Sequence, residues 1–141
     1  MKIPTIRRII NGVGVSKYLD GFVLDSIMAF SRKELAQIER VVGDFCRDGV
    51  PVQFKDQVRI SYSIKNHDVL ISESRPGWRN PSEWVESPIA KLRFVRTANK
   101  WRLYWLRASG KWMLYGPYSR SKTLRSMVRE IELDSYGCFF G

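Results

Sequence analysis

The chain is poor in the residues from which small catalytic and metal sites are usually assembled. Its one histidine is His67, and its two cysteines, Cys46 and Cys138, lie far apart. They resemble neither a disulfide framework nor a zinc-binding pattern. No apolar run approaches the roughly 20 residues of a membrane helix, and Met1 to Ile10 lacks the apolar core and cleavage site of a signal peptide. A soluble, cytoplasmic protein without membrane contact is therefore expected. Internal repeats and low-complexity tracts are also missing. The absence that says most is of acid, because no Asp or Glu occurs from Ser87 to Arg129.

What is present is an ordinary globular composition with a basic excess. The 141 residues carry 24 Lys+Arg against 14 Asp+Glu, a formal net charge of +10, with 44% hydrophobic residues. A chain of this length buries about two thirds of its unfolded surface, so it needs no metal or disulfide to fold and fits one domain. The acid-free stretch holds Lys91, Arg93, Arg96, Lys100, Arg102, Arg107, Lys111, Arg120, Lys122, Arg125 and Arg129, while the remaining 13 basic and 14 acidic residues nearly cancel. Trp101, Tyr104, Trp105, Trp112, Tyr115 and Tyr118 interrupt it, which marks a folded basic surface rather than a solvating tail. The competing explanation is lopsided charge that serves solubility alone.

Residues 1–30 mix helical spacing (Ile6, Ile9, Ile10) with breaks at Gly12 and Gly14, and are read as a short helical extension. Residues 31–141 are read as a single domain. Ser31 with Glu34 makes a capping box, and Leu35, Ile38, Val41, Val42 and Phe45 follow at helical spacing to an end near Asp48-Gly49. Val58, Ile60, Tyr62 and Ile64 alternate with polar residues as in a half-buried strand, and a turn at Lys65–Asp68 leads into a second strand through Glu73. Arg75–Pro88, with Pro76, Gly77, Pro81 and Pro88, reads as a long connection. Three short strands near 89–96, 100–107 and 111–116 form a meander, with Asn99 and Gly110 in its turns. Pro117 stops it, Ser119 or Ser121 caps a last helix, and Leu124, Met127, Val128 and Ile131 form the buried stripe of that helix. The fold class expected is α+β: an antiparallel meander of about five strands flanked by an N-terminal and a C-terminal helix.

Alternation along the meander assigns Leu92, Phe94, Trp101, Leu103, Trp105, Trp112 and Leu114 to the core. It assigns Lys91, Arg93, Arg102, Tyr104, Lys111, Met113 and Tyr115 to the opposite face. Cations neutralise phosphates and rings stack on bases, so this second set suits nucleic acid. The nucleic-acid-binding residues expected are Lys91, Arg93, Lys100, Arg102, Tyr104, Lys111, Arg120, Lys122 and Arg125, with Tyr115 as a second stacking ring. Whether residues 1–30 cover this face is open. Three strands followed by a basic helix start is similar, as an analogy of order alone, to the arm-binding domains of tyrosine recombinases. That likeness implies a sheet entering a duplex groove and helix N–H groups touching phosphates.

Other candidates for chemistry are weaker. Glu83 and Glu86 suggest a metal-dependent nuclease, but no further ligand has a recognisable spacing, and an ion-pair network pinning the loop explains them more simply. His67 sits in a hairpin turn as a solvent-facing residue, Cys46 packs on its helix, and Cys138 belongs to an apolar tail, Tyr136–Gly141, docking on the core. If exposed, that tail or the Trp78 and Trp84 loop would anchor a protein partner. No cofactor, no metal and no catalytic residue is expected.

The motifs Arg75-Pro76-Gly77-Trp78, Asn80-Pro81-Ser82-Glu83-Trp84-Val85-Glu86, Pro88-Ile89-Ala90-Lys91, Lys100–Arg107, Lys111-Trp112 and Tyr136–Gly141 occur in order. In this they resemble a small bacterial domain-of-unknown-function family over roughly residues 35–141. The resemblance implies bacterial origin and a compact helix, sheet, helix domain, and it implies no activity. Residues 1–30 stand outside it as an extension, and Gly116-Pro117-Tyr118 replaces a more variable turn. The reading is a nucleic-acid-binding module for DNA or RNA, with a protein-interaction module as the alternative.

Overall fold

The structure, a computed structural model, describes residues 29–118, 120–121 and 123–141. The reading of residues 1–30 as a helical extension therefore lies almost wholly outside the described residues, as do Ser119 and Lys122.

Ser31 opens the first helix among the described residues, as its sequence requires. Its hydroxyl accepts from Glu34 N at 3.1 Å, and the Glu34 carboxylate accepts from Ser31 N at 2.8 Å, so two otherwise unpaired donors are satisfied at once. Helix α1 (Arg32–Ile38) runs through a π-helical turn (Glu39–Gly43) into α2 (Asp44–Asp48). Its buried stripe is Leu35, Ile38, Val41, Val42 and Phe45. The π turn brings Glu39 over Gly43, where a Cβ would lie 2.7 Å from the Glu39 carboxylate. That carboxylate accepts from Tyr62 Oη at 2.6 Å and from Arg47 at 2.7 Å, tying the helix to the sheet. Burial first, and the adjacent carboxylate second, push the Tyr62 phenol far up, so it remains a donor.

The sheet contains β1 (Arg59–Lys65), β2 (Asp68–Pro76), β3 (Trp84–Val95), β4 (Lys100–Leu106), β5 (Trp112–Leu114) and β6 (Arg120–Ser121). All pairs are antiparallel in the order β1-β2-β3-β4-β5, and β6 pairs with β4 beside β5. This is the α+β meander that alternation predicts. The last helix, α3 (Leu124–Leu133), buries Leu124, Met127, Val128 and Ile131 against the same face as α1 and α2. At its start the capping expectation needs correction. Thr123 holds the N-cap position, and Ser121 belongs to β6.

The long connection is also corrected. Arg75 pairs with Val85 and Pro76 with Trp84, so β2 and β3 continue as a projecting hairpin closed by residues 77–83. Prolines misled the reading because each occupies a place that demands no N–H. Pro76 ends a strand, Pro81 lies in the turn, and Pro88 sits at the register shift beside Ile71/Ser72. The expectation for His67 shifts as well, since its ring is half-buried with an edge contact to Phe30 at 5.8 Å.

Arg96 donates to Glu34 at 2.9 and 3.1 Å, joining the β3–β4 turn to the start of α1. The Arg96 hydrogen bond is the main reason that Glu34 titrates below its ordinary value. A depressed carboxylate stabilises the fold above its ordinary pKa, and that contribution is lost as pH falls through the folded value. Glu34→Gln should thus be less stable than the parent at neutral pH, with the gap narrowing under acid below the usual carboxylate range. Thermal melts from neutral to acidic pH check this, and a gap that stays constant with pH contradicts it.

Candidate nucleic-acid interface

The helices among the described residues pack on one face of the sheet. The opposite, outer face is organised by the ladder register into rows that cross the strands. One row reads Lys65, Asp68, Arg93, Arg102 and Arg120 over β1, β2, β3, β4 and β6. The next reads Ser63, Leu70, Lys91, Tyr104 and Leu114, ending on β5. Beyond it lie the small Ser61 and Ser72 with Pro88, and then Arg59, Ser74 and Glu86.

Side chains along these rows are coupled. Arg93 grips Asp68 through two hydrogen bonds of 2.7 and 2.9 Å, and this bond is the first reason that its guanidinium is held further up. Both partners retain exposure, so the pair contributes little stability and leaves Arg93 charged at the surface. Lys91 Nζ lies 5.3 Å from the Tyr104 ring centre and 4.8 Å from that of Trp112. Arg93 lies 5.7 Å from the Tyr104 ring, and Arg59 sits 3.9 Å over Trp84 at the far end of the face. Each such contact is worth about 0.5–1 kcal/mol at an exposed site and holds a cation beside a ring.

Of the nine residues expected to form the site, the sheet brings six together: Lys91, Arg93, Lys100, Arg102, Tyr104 and Arg120. Lys111 stands in the turn before β5, its carbonyl accepting from Arg107 N. Lys122 is outside the described residues. Arg125 lies on α3 in the helical layer, lining a cleft with Asp44, Asp48, Arg129 and Glu132 on the other side of the molecule.

The face assignment in β5 is corrected. Leu106 pairs with Trp112 and Tyr104 with Leu114, so these two β5 residues belong to the outer face. Met113 pairs with Trp105 on the helix side, and Tyr115 is 1% exposed with its ring 5.1 Å from Phe139. Tyr115 is therefore a core residue and cannot stack on a base. The cause is loop parity. A loop of three residues, Ala108 to Gly110, places residues of like parity opposite one another, and Gly110 at φ 84° supplies its left-handed position. The four-residue turn between β3 and β4 does the reverse, pairing Phe94 with Trp101.

Sequence reasoning missed Trp112, Leu114, Lys65 and Arg59 on this face. The Gly110 signal could have found the first two, whereas Lys65 and Arg59 precede the acid-free stretch and join it only through strand pairing. Glu83 lies in the exposed loop and Glu86 on the outer face. Among the described residues no group of three or more His, Cys, Asp or Glu side chains is placed to hold a metal.

The arrangement is that of a helix-backed sheet that carries the quoted motifs: Trp101 and Leu103 in the core, Pro76 to Trp84 in the hairpin, and Phe139 docked. Residues 30–141 match the family described as Domain of unknown function (DUF3024). The chain belongs to this family. No curated protein and no solved structure matches it. In this DUF3024 domain the Tyr136–Gly141 motif docks through Phe139, while Tyr136 and Phe140 remain exposed. Asp134, left-handed at φ 44°, accepts from Phe139 N and Phe140 N at 2.9 Å each and turns the tail back onto Tyr115. Among the described residues of the DUF3024 domain no helix is long and apolar enough to cross a membrane.

Proposed function

We propose that this protein binds nucleic acid through the outer face of its sheet. The observation that carries the reading is the register row in which Arg93, Arg102 and Arg120 lie side by side, with Lys65 beyond Asp68 at its end, next to a row holding Lys91 and Tyr104. Cations at strand spacing meet the repeating charge of a phosphate backbone, and adjacent rings offer stacking surfaces. Lys100 extends the positive field beyond Arg102 on the same face. Among the described residues of this face the acidic ones are Asp68, paired with Arg93, and Glu86, three rows from it. A cytoplasmic, bacterial setting belongs to the same proposal, and two cysteines not joined in a disulfide suit a reducing compartment.

Fluorescence anisotropy of the full chain with labelled DNA and RNA oligonucleotides across a salt series tests this. A logarithmic salt slope of about −3 or steeper is expected, because each released counterion contributes roughly −0.7 to −0.9. Absence of binding at low salt would assign the charge to solvation. One observation favours a second reading. Trp78, at the hairpin tip, is 86% exposed, which suits a protein partner whose binding depends weakly on salt.

A further inference from the structure

We propose that the outer face takes single-stranded rather than duplex nucleic acid, with phosphates along the Arg93, Arg102 and Arg120 row and bases stacked on Tyr104 and Trp112. This rests on the nucleic-acid reading above and names the strand class within it.

Width is the first argument. The row from Ser63 to Leu114 crosses five strands, which at 4.7–4.9 Å per step sets the outer strands about 19 Å apart. The major groove of B-form DNA is about 12 Å wide and admits a helix or a two-stranded ribbon. A face this broad exceeds the width of that groove and does not enter it as a ribbon does. The groove entry implied by the order of strands and helix is therefore not the mode argued for here. A single strand has no groove to enter and presents its base faces directly.

The second argument is the order of chemistry across the face. Residues two apart on a strand lie about 7 Å apart on the same side, so Tyr104 stands one such step from Arg102, close enough for one nucleotide to touch both. Trp112 follows Tyr104 on the neighbouring strand pair, opposite Leu106. Both rings are half-buried, hence held in place yet partly open. Lys91 lies over both of them, so a cation already waits beside each ring where the phosphate of a stacked nucleotide would come. Leu114, 45% exposed next to Tyr104, widens the apolar platform. Stacking of this kind tolerates any base, so weak sequence preference is part of the proposal.

The test uses the full chain and labelled oligonucleotides of one mixed sequence: single-stranded DNA, single-stranded RNA, both duplexes, and heparin as a polyanion without bases. Either single strand should bind about ten-fold or more tightly than its duplex, and Tyr104→Leu and Trp112→Leu should each cost about ten-fold on the single strand. Neither change should alter duplex or heparin binding, and Trp112→Phe should retain most of the single-strand affinity. Equal or tighter duplex binding overturns the strand assignment while leaving the nucleic-acid reading in place. Ring variants that lose nothing, or heparin bound as tightly as the single strand, overturn it too. If nothing binds, the parent reading fails first. Should a ring variant not fold, shown by its circular dichroism, the single-strand to duplex ratio of the unaltered chain still decides.

Discussion

Changing Arg102 and Arg120 together to glutamine is expected to weaken nucleic-acid binding about a hundred-fold at low salt and to flatten the logarithmic salt slope by roughly 1.4 to 1.8. The two residues are register partners on β4 and β6, both exposed. Unlike Arg93, which is bound to Asp68, neither has a carboxylate directly across the ladder. Losing two charge-assisted contacts removes about 3 kcal/mol of binding. The matched control is the double change of Arg125 and Arg129 to glutamine. It removes the same charge from α3, where both side chains line the cleft with Asp44, Asp48 and Glu132. A net-charge effect would make the two double variants equal, whereas a face effect leaves the α3 variant within about two-fold of the parent. Anisotropy titrations at two salt concentrations separate the cases, and equal losses would refute the placement of the interface.

Phe139→Ala should destabilise the fold by about 3–5 kcal/mol, and Phe140→Ala by less than about 1 kcal/mol. These adjacent residues share a motif and a backbone tether, since Asp134 accepts from both their N–H groups. Their burial differs sharply: Phe139 is 5% exposed against the Tyr115 ring, and Phe140 is 39% exposed. Removing the Phe139 ring leaves a cavity beside Tyr115, whose phenol is already pushed up by burial and has no hydrogen-bond partner among the described residues. Urea unfolding of the two variants reads the contrast. Equal, small losses would mean that the tail does not dock on the core.

The elements that local chemistry specifies were legible as written. Ser31 and Glu34 announce a helix start because both halves of the capping box lie within one turn. The apolar stripe of α3 was readable from its spacing, and so was the inward face of β1. The candidate site was only half legible. Charge density pointed to the β3 and β4 cations, but it could not tell Arg120 from Arg125. Five residues apart, these lie on opposite sides of the molecule because one belongs to an edge strand and the other to a helix packed on the far face.

By itself the sequence determined the helix, meander and helix order, the identity of most core residues, and the confinement of the net positive excess to residues 87–129, each of which follows from the order of residues along the chain. Tertiary structure decided which side of the sheet each β5 residue faces, because strand alternation is local but its phase is set by the length of the loop that precedes it. It also decided that Lys65 and Arg59, far upstream, join the basic face, and that Tyr115 leaves it. Strand pairing alone brings residues so distant in sequence into one row, and no local pattern encodes that register.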